Sequence, residues 1–113
     1  INECLDDNIP LKGIAHITGG GLTENIPRIL PNTIAAEIDT SAWRQPAAFR
    51  WIQENGKISD DEMLKIFNCG IGLALIINKK YLSDLNKYIN KHKLKSFVIG
   101  KTIRRNLSAI NYY

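Results

Sequence analysis

The sequence predicts an α+β or α/β fold in which helices pack on a mixed β-sheet. Short apolar segments typical of strands alternate along the chain with segments whose apolar residues recur at helical spacing. With 113 residues, the chain is long enough for one domain and too short for two. An apolar fraction of 44% and a charged fraction of 23% are typical of a globular domain and exclude a disordered chain.

The first third of the chain predicts two strands joined by a glycine-rich turn and a short helix. We expect residues 1–9 to form a helix end or an approach segment before a strand over residues 11–18. A helix over residues 22–30 follows, and Pro27 fits it only in the first turn, where the N–H groups have no partner anyway. A second strand is predicted over residues 33–38.

Two helices are predicted in the middle of the chain. The first spans residues 46–55, with proline at its start and Gly56 just past its end. Residues 59–62, Ser-Asp-Asp-Glu, form a capping box that opens the second helix. We expect five apolar side chains of these helices to face the core, namely Phe49, Ile52, Met63, Ile66 and Phe67.

The last third predicts strand, helix and strand. An unbroken apolar run over residues 73–77 indicates a strand buried on both faces. An amphipathic helix over residues 79–92 follows, and a strand over residues 96–99 ends at Gly100. The tail, residues 104–113, is compatible with a short strand, a disordered end or a contact for another domain.

Several classes of protein are disfavoured by composition. No apolar run reaches the roughly 18–20 residues that a membrane helix needs, so we expect no membrane partner. The chain begins at Ile1 without a signal peptide, which we interpret as the start of a fragment. Cys4 and Cys69 match no metal-binding or redox spacing, and we expect both to be reduced in a cytoplasmic protein.

The segment with the most chemical content joins a strand to a helix through Gly19, Gly20 and Gly21. Without side chains, these positions allow positive φ and let a bound group approach the backbone N–H donors. The start of the next helix adds unpaired N–H groups and the positive end of a dipole. The pattern predicts an anion site, usually for phosphate, although a flexible turn has the same composition. It matches neither the P-loop nor the dinucleotide fingerprint.

Four polar residues flank these glycines. Thr18 places a hydroxyl at the entrance of the turn, and His16 projects from the same face of the strand. Asn25 offers two donors and an acceptor, and Arg28 can bind a phosphate bidentately if its side chain turns back. The alternatives stay open, because His16 could be structural and Arg28 a solvated surface charge.

Residues 13–31, Gly-Ile-Ala-His-Ile-Thr-Gly-Gly-Gly-Leu-Thr-Glu-Asn-Ile-Pro-Arg-Ile-Leu-Pro, resemble the signature of the aminoimidazole ribonucleotide synthetase family. This family is also called phosphoribosylformylglycinamidine cyclo-ligase. The similarity continues through residues 49–53, 59–63 and 67–72, and it covers about residues 11–100. Formylglycinamidine ribonucleotide synthetase, thiamine-monophosphate kinase and selenophosphate synthetase share the architecture without the whole string.

The resemblance implies that residues 1–113 form one C-terminal phosphate- and substrate-binding domain whose N-terminal ATP-binding domain is absent from the chain. It implies an ATP-dependent ligase that converts formylglycinamidine ribonucleotide to aminoimidazole ribonucleotide in de novo purine synthesis. ATP and Mg²⁺ would bind chiefly through the N-terminal domain, which would also form most of a homodimer interface. We therefore expect a cytoplasmic enzyme, and no turnover from this chain without its other domain.

The resemblance also assigns roles to residues. Thr18, Gly19, Gly20 and Gly21 would bind either the ribose phosphate of the substrate or the transferring phosphate. His16 is a candidate catalytic group, and Asn25 and Arg28 are candidate ligand or interdomain contacts. A second signature contributes Asn68, Gly70 and Gly72, which would shape a tight turn behind the site or contact the ligand directly.

No metal ligand is expected in this chain. The acidic residues Asp60, Asp61 and Glu62 lie in the first turn of a helix, where the dipole favours them. Trp43, Phe49 and Trp51 are expected to be core or interface residues rather than stacking platforms.

Two rival functions remain. Residues 1–78 carry 6 Lys/Arg against 10 Asp/Glu, whereas residues 79–113 carry 9 against 1. That basic end, with Tyr81 and Tyr88 among its lysines, would suit a nucleic-acid-binding module, but no RNA or DNA motif is present. An interaction domain that has lost its ligand is disfavoured by the intact signature.

Overall fold

The computed structural model describes residues 1 and 6–113. Its helices and strands, in chain order, are β1 (Leu11–His16), α1 (Gly21–Asn25), β2 (Ile34–Ile38), α2 (Ala47–Gly56), α3 (Asp60–Ile66), β3 (Leu73–Ile77), α4 (Leu82–Lys91), β4 (Gly100–Arg104) and β5 (Ile110–Tyr112). Short 3-10 turns occupy Pro27–Ile29 and Lys79–Tyr81. Helices packed on mixed strands confirm the predicted α+β class.

The strands form two small sheets rather than one. β1 and β3 make an antiparallel ribbon in which Ala15 lies opposite Ala74 and His16 opposite Leu73. In the second sheet β2 is central, antiparallel to β4 and parallel to β5. The tail that had three open interpretations is therefore a short strand at residues 110–112, paired with β2.

The main core lies between the two sheets and the helices. It is built from apolar residues of β1, α1, β2, α3 and the turn before β3: Ala15, Ile17, Leu22, Ile26, Ala36, Ile38, Met63, Leu64, Cys69 and Ile71. A second, smaller cluster joins Ile9 and Leu85, with Leu75, Ile77 and Tyr88 packed against it. Because α4 covers only part of the ribbon, Ile14 and Leu73 stay exposed.

The helix predicted over residues 22–30 is shorter than expected. The α-helix ends at Asn25, and Pro27 begins a 3-10 turn instead. Proline has no N–H to donate to the carbonyl four residues earlier, so the α-helix cannot continue through it. Arg28, on the 3-10 turn, hydrogen-bonds the side chain of Asn25 at the end of α1, as described below.

The last predicted strand is wrong in position. Residues 96–99 are not a strand, and β4 begins at Gly100, where the prediction ended. The apolar side chains of Phe97 and Val98, which suggested the strand, are largely exposed. Gly100 belongs inside the pairing instead, because a Cβ there would collide with the carbonyl of Glu37 on the neighbouring strand.

Two burial predictions also fail. β3 is not buried on both faces, since Leu73 is 45% exposed and the other four residues of the strand are only partly buried. On α3, Met63 is buried as predicted, but Ile66 points outward and Leu64 takes the core position. An apolar residue at the end of a seven-residue helix has little of the core within reach.

Other boundaries agree closely with the sequence. The Ser59 hydroxyl accepts a hydrogen bond from the N–H of Glu62 over 3.2 Å, which confirms Ser59 as the N-cap and forms one of the two bonds of the predicted capping box. Gly56 is the last residue of α2 rather than the residue after it, and Lys57 adopts the left-handed conformation. Of residues 1–9, where a helix end or an approach segment was expected, residues 1 and 6–9 are described: Asp6 is helical and a turn follows at residues 7–8. Cys4 lies outside the described residues.

Candidate phosphate-binding loop

The glycine turn lies at one end of the β1–β3 ribbon, beside the turn that precedes β3. The N–H of Ile17 donates to the carbonyl of Gly72 over 3.0 Å, which continues the ribbon past its last paired residues. The N–H of Gly21 then donates to the carbonyl of Thr18 over 3.0 Å and closes the turn. The two signature segments, far apart in sequence, thus meet at one place.

The three glycine positions differ in how strongly the fold requires the absence of a side chain. Gly20 and Gly21 have φ of 93° and 60°, which disfavours any side chain. A Cβ on Gly21 would also collide with the carbonyl of Leu64, because the start of α1 packs closely on α3. Gly19 has no positive φ, and no described atom lies within 4 Å of the place its Cβ would take. The fold therefore leaves open space beside Gly19.

The loop presents unpaired backbone donors to that space. Among the described residues, the N–H groups of Gly19 and Gly20 have no hydrogen-bond acceptor, whereas the N–H of Gly21 is used internally. Thr18 and Gly19 are exposed. Two unpaired peptide donors at an exposed bend without side chains suit an oxyanion. The five-residue α1 adds little, since few peptide dipoles are aligned in it.

Asn25 holds the loop in shape. Its side chain is buried, and its amide nitrogen donates to the carbonyl of Gly21 over 2.8 Å. Longer contacts of 3.3 Å reach the carbonyls of Thr18 and Gly19. The amide thus contacts three carbonyl oxygens of the turn, those of Thr18, Gly19 and Gly21. The structure thus engages Asn25 within the protein, where it supports the loop.

Arg28 turns back toward the loop, as phosphate binding requires. Its Nη1 donates to Oδ1 of Asn25 over 3.2 Å, and its Nη2 lies 3.6 Å from a carboxylate oxygen of Glu24. Both charged side chains are more than half exposed, so this ion pair is held weakly. The guanidinium can therefore reach the rim of the loop and exchange partners there.

His16 lies at the end of β1, on the exposed side of the ribbon. The alternation of β1 buries Ala15 and directs His16 outward, opposite Leu73. Thr18 is exposed like His16, but it lies beyond β1, which ends at His16 rather than at residue 18. No described residue hydrogen-bonds the imidazole, which leaves it accessible to a ligand approaching the loop.

The second signature forms the predicted tight turn. Oδ1 of Asn68 accepts from the N–H of Gly70 over 2.9 Å, and the carbonyl of Asn68 accepts from the N–H of Ile71 over 2.9 Å. A Cβ on Gly70 would lie 2.5 Å from Pro46 at the start of α2, so the fold itself requires glycine there. Gly72 has no such neighbour and resembles Gly19 in this respect.

A contact from the end of the chain supports α1, and sequence reasoning missed it. The hydroxyls of Thr23 and Tyr112 lie 2.8 Å apart. Burial raises the pKa of the Tyr112 phenol above its ordinary value, although the bond to Thr23 acts in the opposite direction. No periodicity within residues 104–113 signals this contact, because it depends on β5 pairing with β2.

The remaining aromatic and cysteine residues are mostly structural. Trp43 donates from Nε1 to the carbonyl of Cys69 over 3.0 Å, and Phe49 packs edge-on against Phe67. Trp51, in contrast, is exposed. Cys69 is a free, buried thiol whose pKa is raised by desolvation, so its nucleophilic thiolate is disfavoured.

Neither a metal cluster nor a membrane span is found in the described ranges. Residues 1 and 6–113 contain no group of three His, Cys, Asp or Glu side chains arranged to hold a metal ion. Within the same ranges, no helix has both the length and the apolar character to cross a bilayer.

The sequence of this chain is similar to those of known proteins. The family model described as "AIR synthase related protein, C-terminal domain" matches residues 1–112. The chain is 36% identical over 113 residues to the phosphoribosylformylglycinamidine cyclo-ligase of Prochlorococcus marinus (strain MIT 9312), covering 100% of this chain and 33% of that protein.

Two further relatives match shorter segments. The cyclo-ligase of Burkholderia ambifaria (strain MC40-6) is 54% identical over 74 residues, 66% of this chain and 21% of that protein. The human trifunctional purine biosynthetic protein adenosine-3 is 43% identical over 95 residues, 84% of this chain and 9% of that protein. The chain thus spans a third or less of the length of these relatives.

Proposed function

The chain belongs to the family of AIR synthase related C-terminal domains, and from that premise we propose that it is the phosphate- and substrate-binding domain of a phosphoribosylformylglycinamidine cyclo-ligase. The proposal includes an N-terminal ATP-binding domain in the same polypeptide, because the matched cyclo-ligases are about three times longer. It also includes a homodimer and a cytoplasmic location, as the purine-synthesis relatives suggest.

The proposed reaction closes an imidazole ring. The γ-phosphoryl group of ATP is transferred to the formyl amide oxygen of formylglycinamidine ribonucleotide, and ADP leaves. An amine of the same substrate then attacks the activated carbon, and inorganic phosphate leaves as the ring of aminoimidazole ribonucleotide forms. Mg²⁺ would accompany the nucleotide through the N-terminal domain. This chain would contribute positioning and charge stabilisation for phosphate groups.

The unpaired N–H groups of Gly19 and Gly20 are the observation on which the proposal rests. They face an exposed bend where the space beside Gly19 is open, so phosphate oxygens can approach within hydrogen-bonding distance. Thr18 would add its hydroxyl, and Arg28 a guanidinium from the rim. The bound group would be either the ribose phosphate or the transferring phosphate.

His16 and the second signature complete the proposed site. The exposed imidazole of His16 lies next to the loop on the ribbon, where it could handle a proton of the reacting amide. Asn68 and Gly70 would act by shaping the turn that meets the loop. Gly72, which has an open Cβ position, would face the ligand or the N-terminal domain.

A nucleic-acid-binding function receives less support from the contacts of the basic residues. Lys101 pairs with Glu37 at 3.8 Å, and Lys87 lies 3.8 Å from an Asp84 oxygen. Arg105 donates to the backbone carbonyl of Ile34 over 3.0 Å. The Arg105 side chain is therefore engaged within the fold. The two lysine pairs are exposed, like that of Arg28 with Glu24, and do not decide between the two functions. A steeply salt-dependent affinity for DNA or RNA would favour the rival function.

Phosphate binding is tested by titrating inorganic phosphate into the chain and following backbone amide resonances. We expect the largest shifts at Gly19 and Gly20. Gly19→Ala should weaken binding by roughly tenfold, because its methyl group enters the open space where the ligand approaches. Gly56→Ala, at the end of α2, is the matched control and should bind as the unchanged chain does. Shifts scattered over the lysine-rich end would contradict the assignment.

The reaction is tested with a chimera. Residues 1–113 replace the matching third of the Prochlorococcus marinus cyclo-ligase, and formation of aminoimidazole ribonucleotide from ATP and substrate is measured. We expect turnover from the chimera and none from the isolated chain. A folded dimeric chimera that binds phosphate at the loop but makes no product would contradict the proposed activity. Turnover by the isolated chain would contradict the need for a second domain.

A further inference from the structure

The negatively charged carboxylate of Glu24 lies at the proposed phosphate site. The N–H of Glu24 donates to the carbonyl of Gly20 over 3.2 Å, so this residue lies one helical turn beyond the bend. Its side chain folds back against Gly20, where a Cβ would collide with the carboxylate. The carboxylate therefore lies beside Gly20, one of the two residues of the loop whose N–H is unpaired.

Arg28 is shared between this carboxylate and the loop. Its Nη2 lies 3.6 Å from Oε2 of Glu24, while its Nη1 donates to Asn25, which holds the turn. The side chains of Glu24 and Arg28 are 58% and 66% exposed. Because water screens such a pair and both side chains are long and mobile, a better acceptor can displace the carboxylate.

We propose that Glu24 is a built-in competitor of the phosphate ligand, and that Arg28 moves from the Glu24 carboxylate to the phosphate when the ligand binds. This inference rests on the proposed function of the loop. In the empty state Glu24 supplies the negative charge that Arg28 and the bend attract. When a phosphate group enters, the carboxylate leaves Gly20. When the phosphate is released, the carboxylate returns, and its charge lowers the affinity of the loop for phosphate.

The size of the effect follows from simple electrostatics. Two unit charges about 6 Å apart in water interact by an amount equivalent to roughly threefold in affinity. A phosphate dianion would therefore bind about three- to tenfold more tightly once the Glu24 charge is removed. Salt should reduce this gain, because the Debye length falls to about 3 Å at 1 M ionic strength.

The experiment compares inorganic phosphate binding to the 113-residue chain and to Glu24→Gln at low salt, followed at the Gly19 and Gly20 amides. The variant should bind three- to tenfold more tightly, and less so in 1 M NaCl. Asp84→Asn is the matched control, because Asp84 is also an exposed acid in an ion pair, with Lys87 at 3.8 Å on α4. It should change the affinity by less than twofold.

A double-variant cycle with Arg28→Gln tests the exchange itself. Arg28→Gln should weaken phosphate binding, and Glu24→Gln should gain less in that background, because no guanidinium is left to release. An equal gain with and without Arg28, or no gain beyond that of Asp84→Asn, overturns the inference while leaving phosphate binding intact. If the unchanged chain and Glu24→Gln both fail to bind phosphate, the proposed function fails and the inference fails with it.

Discussion

The hydroxyl of Thr23 lies 2.8 Å from the phenol oxygen of Tyr112, although 89 positions separate the two residues. Thr23 belongs to α1, the helix that follows the glycine loop, and Tyr112 to β5, the last strand. β5 is held by its parallel pairing with β2, where Tyr112 lies opposite Ile38. The end of the chain thus fixes the helix behind the candidate site.

Removal of this contact should cost stability. Tyr112→Phe and Thr23→Val should each lower the free energy of unfolding by about 1 kcal/mol. Each substitution removes one hydroxyl of the pair and leaves the other, partly buried hydroxyl without its hydrogen-bond partner. The double variant should cost less than the sum, since the second change removes the orphaned group. Urea denaturation of the four chains measures this cycle, and strict additivity would show that the two hydroxyls do not interact.

Alkaline pH should weaken the fold through the same phenol. Burial raises the pKa of Tyr112 above the ordinary value of 10.0. Between the unfolded and folded values, the folded state holds the proton that the unfolded state has released, so stability falls as pH rises above about 10. The unfolding free energy, measured by urea between about pH 9 and 11, should fall less in Tyr112→Phe. Equal slopes in both chains would count against a perturbed phenol.

The side chain of Asn25 should be needed for the shape of the loop. Asn25→Ala leaves the carbonyl of Gly21 without the 2.8 Å bond it now accepts, and removes the partly buried acceptor of the Arg28 hydrogen bond. We expect a loss of about 2–3 kcal/mol in the free energy of unfolding, together with weaker phosphate binding. Asn25→Asp keeps the shape of the side chain but cannot donate to carbonyls, so its stability and phosphate binding should be no higher than those of Asn25→Ala. A stable Asn25→Asp chain would mean that the amide donors contribute little.

Glycine should matter for different reasons at neighbouring positions. Gly21→Ala should cost about 2–4 kcal/mol, because it combines a left-handed backbone with a collision against Leu64. Gly19→Ala should change stability by less than about 0.5 kcal/mol, since its Cβ meets no described atom. Thermal and urea unfolding test the contrast. Similar losses at both positions would show that the fold, rather than a ligand, requires glycine at Gly19.

The sequence predicted the parts of the site that depend on near neighbours. The N-cap bond at Ser59 forms because donor and acceptor lie three positions apart. The turn at Gly20 and Gly21 likewise follows from backbone sterics within a few residues. The end of α1 before Pro27 was not predicted, although the missing N–H of proline explains it. The apolar pattern was less reliable over residues 96–99, where the predicted strand does not form. An apolar run does not by itself indicate which other segment will bury its side chains.

Tertiary structure decided which signature residues are packed against the rest of the fold and which are left open. The close packing of α1 on α3 requires Gly21 and leaves Gly19 open. This difference cannot be predicted from three consecutive glycines in the sequence. The pairing of β5 with β2 brought Tyr112 to Thr23 across most of the chain. Such contacts form only when many residues fold together and share the entropic cost of closing long loops. Local hydrogen bonds and sterics could therefore be predicted from the sequence, whereas the partners of Glu24, Arg28 and Tyr112 could not.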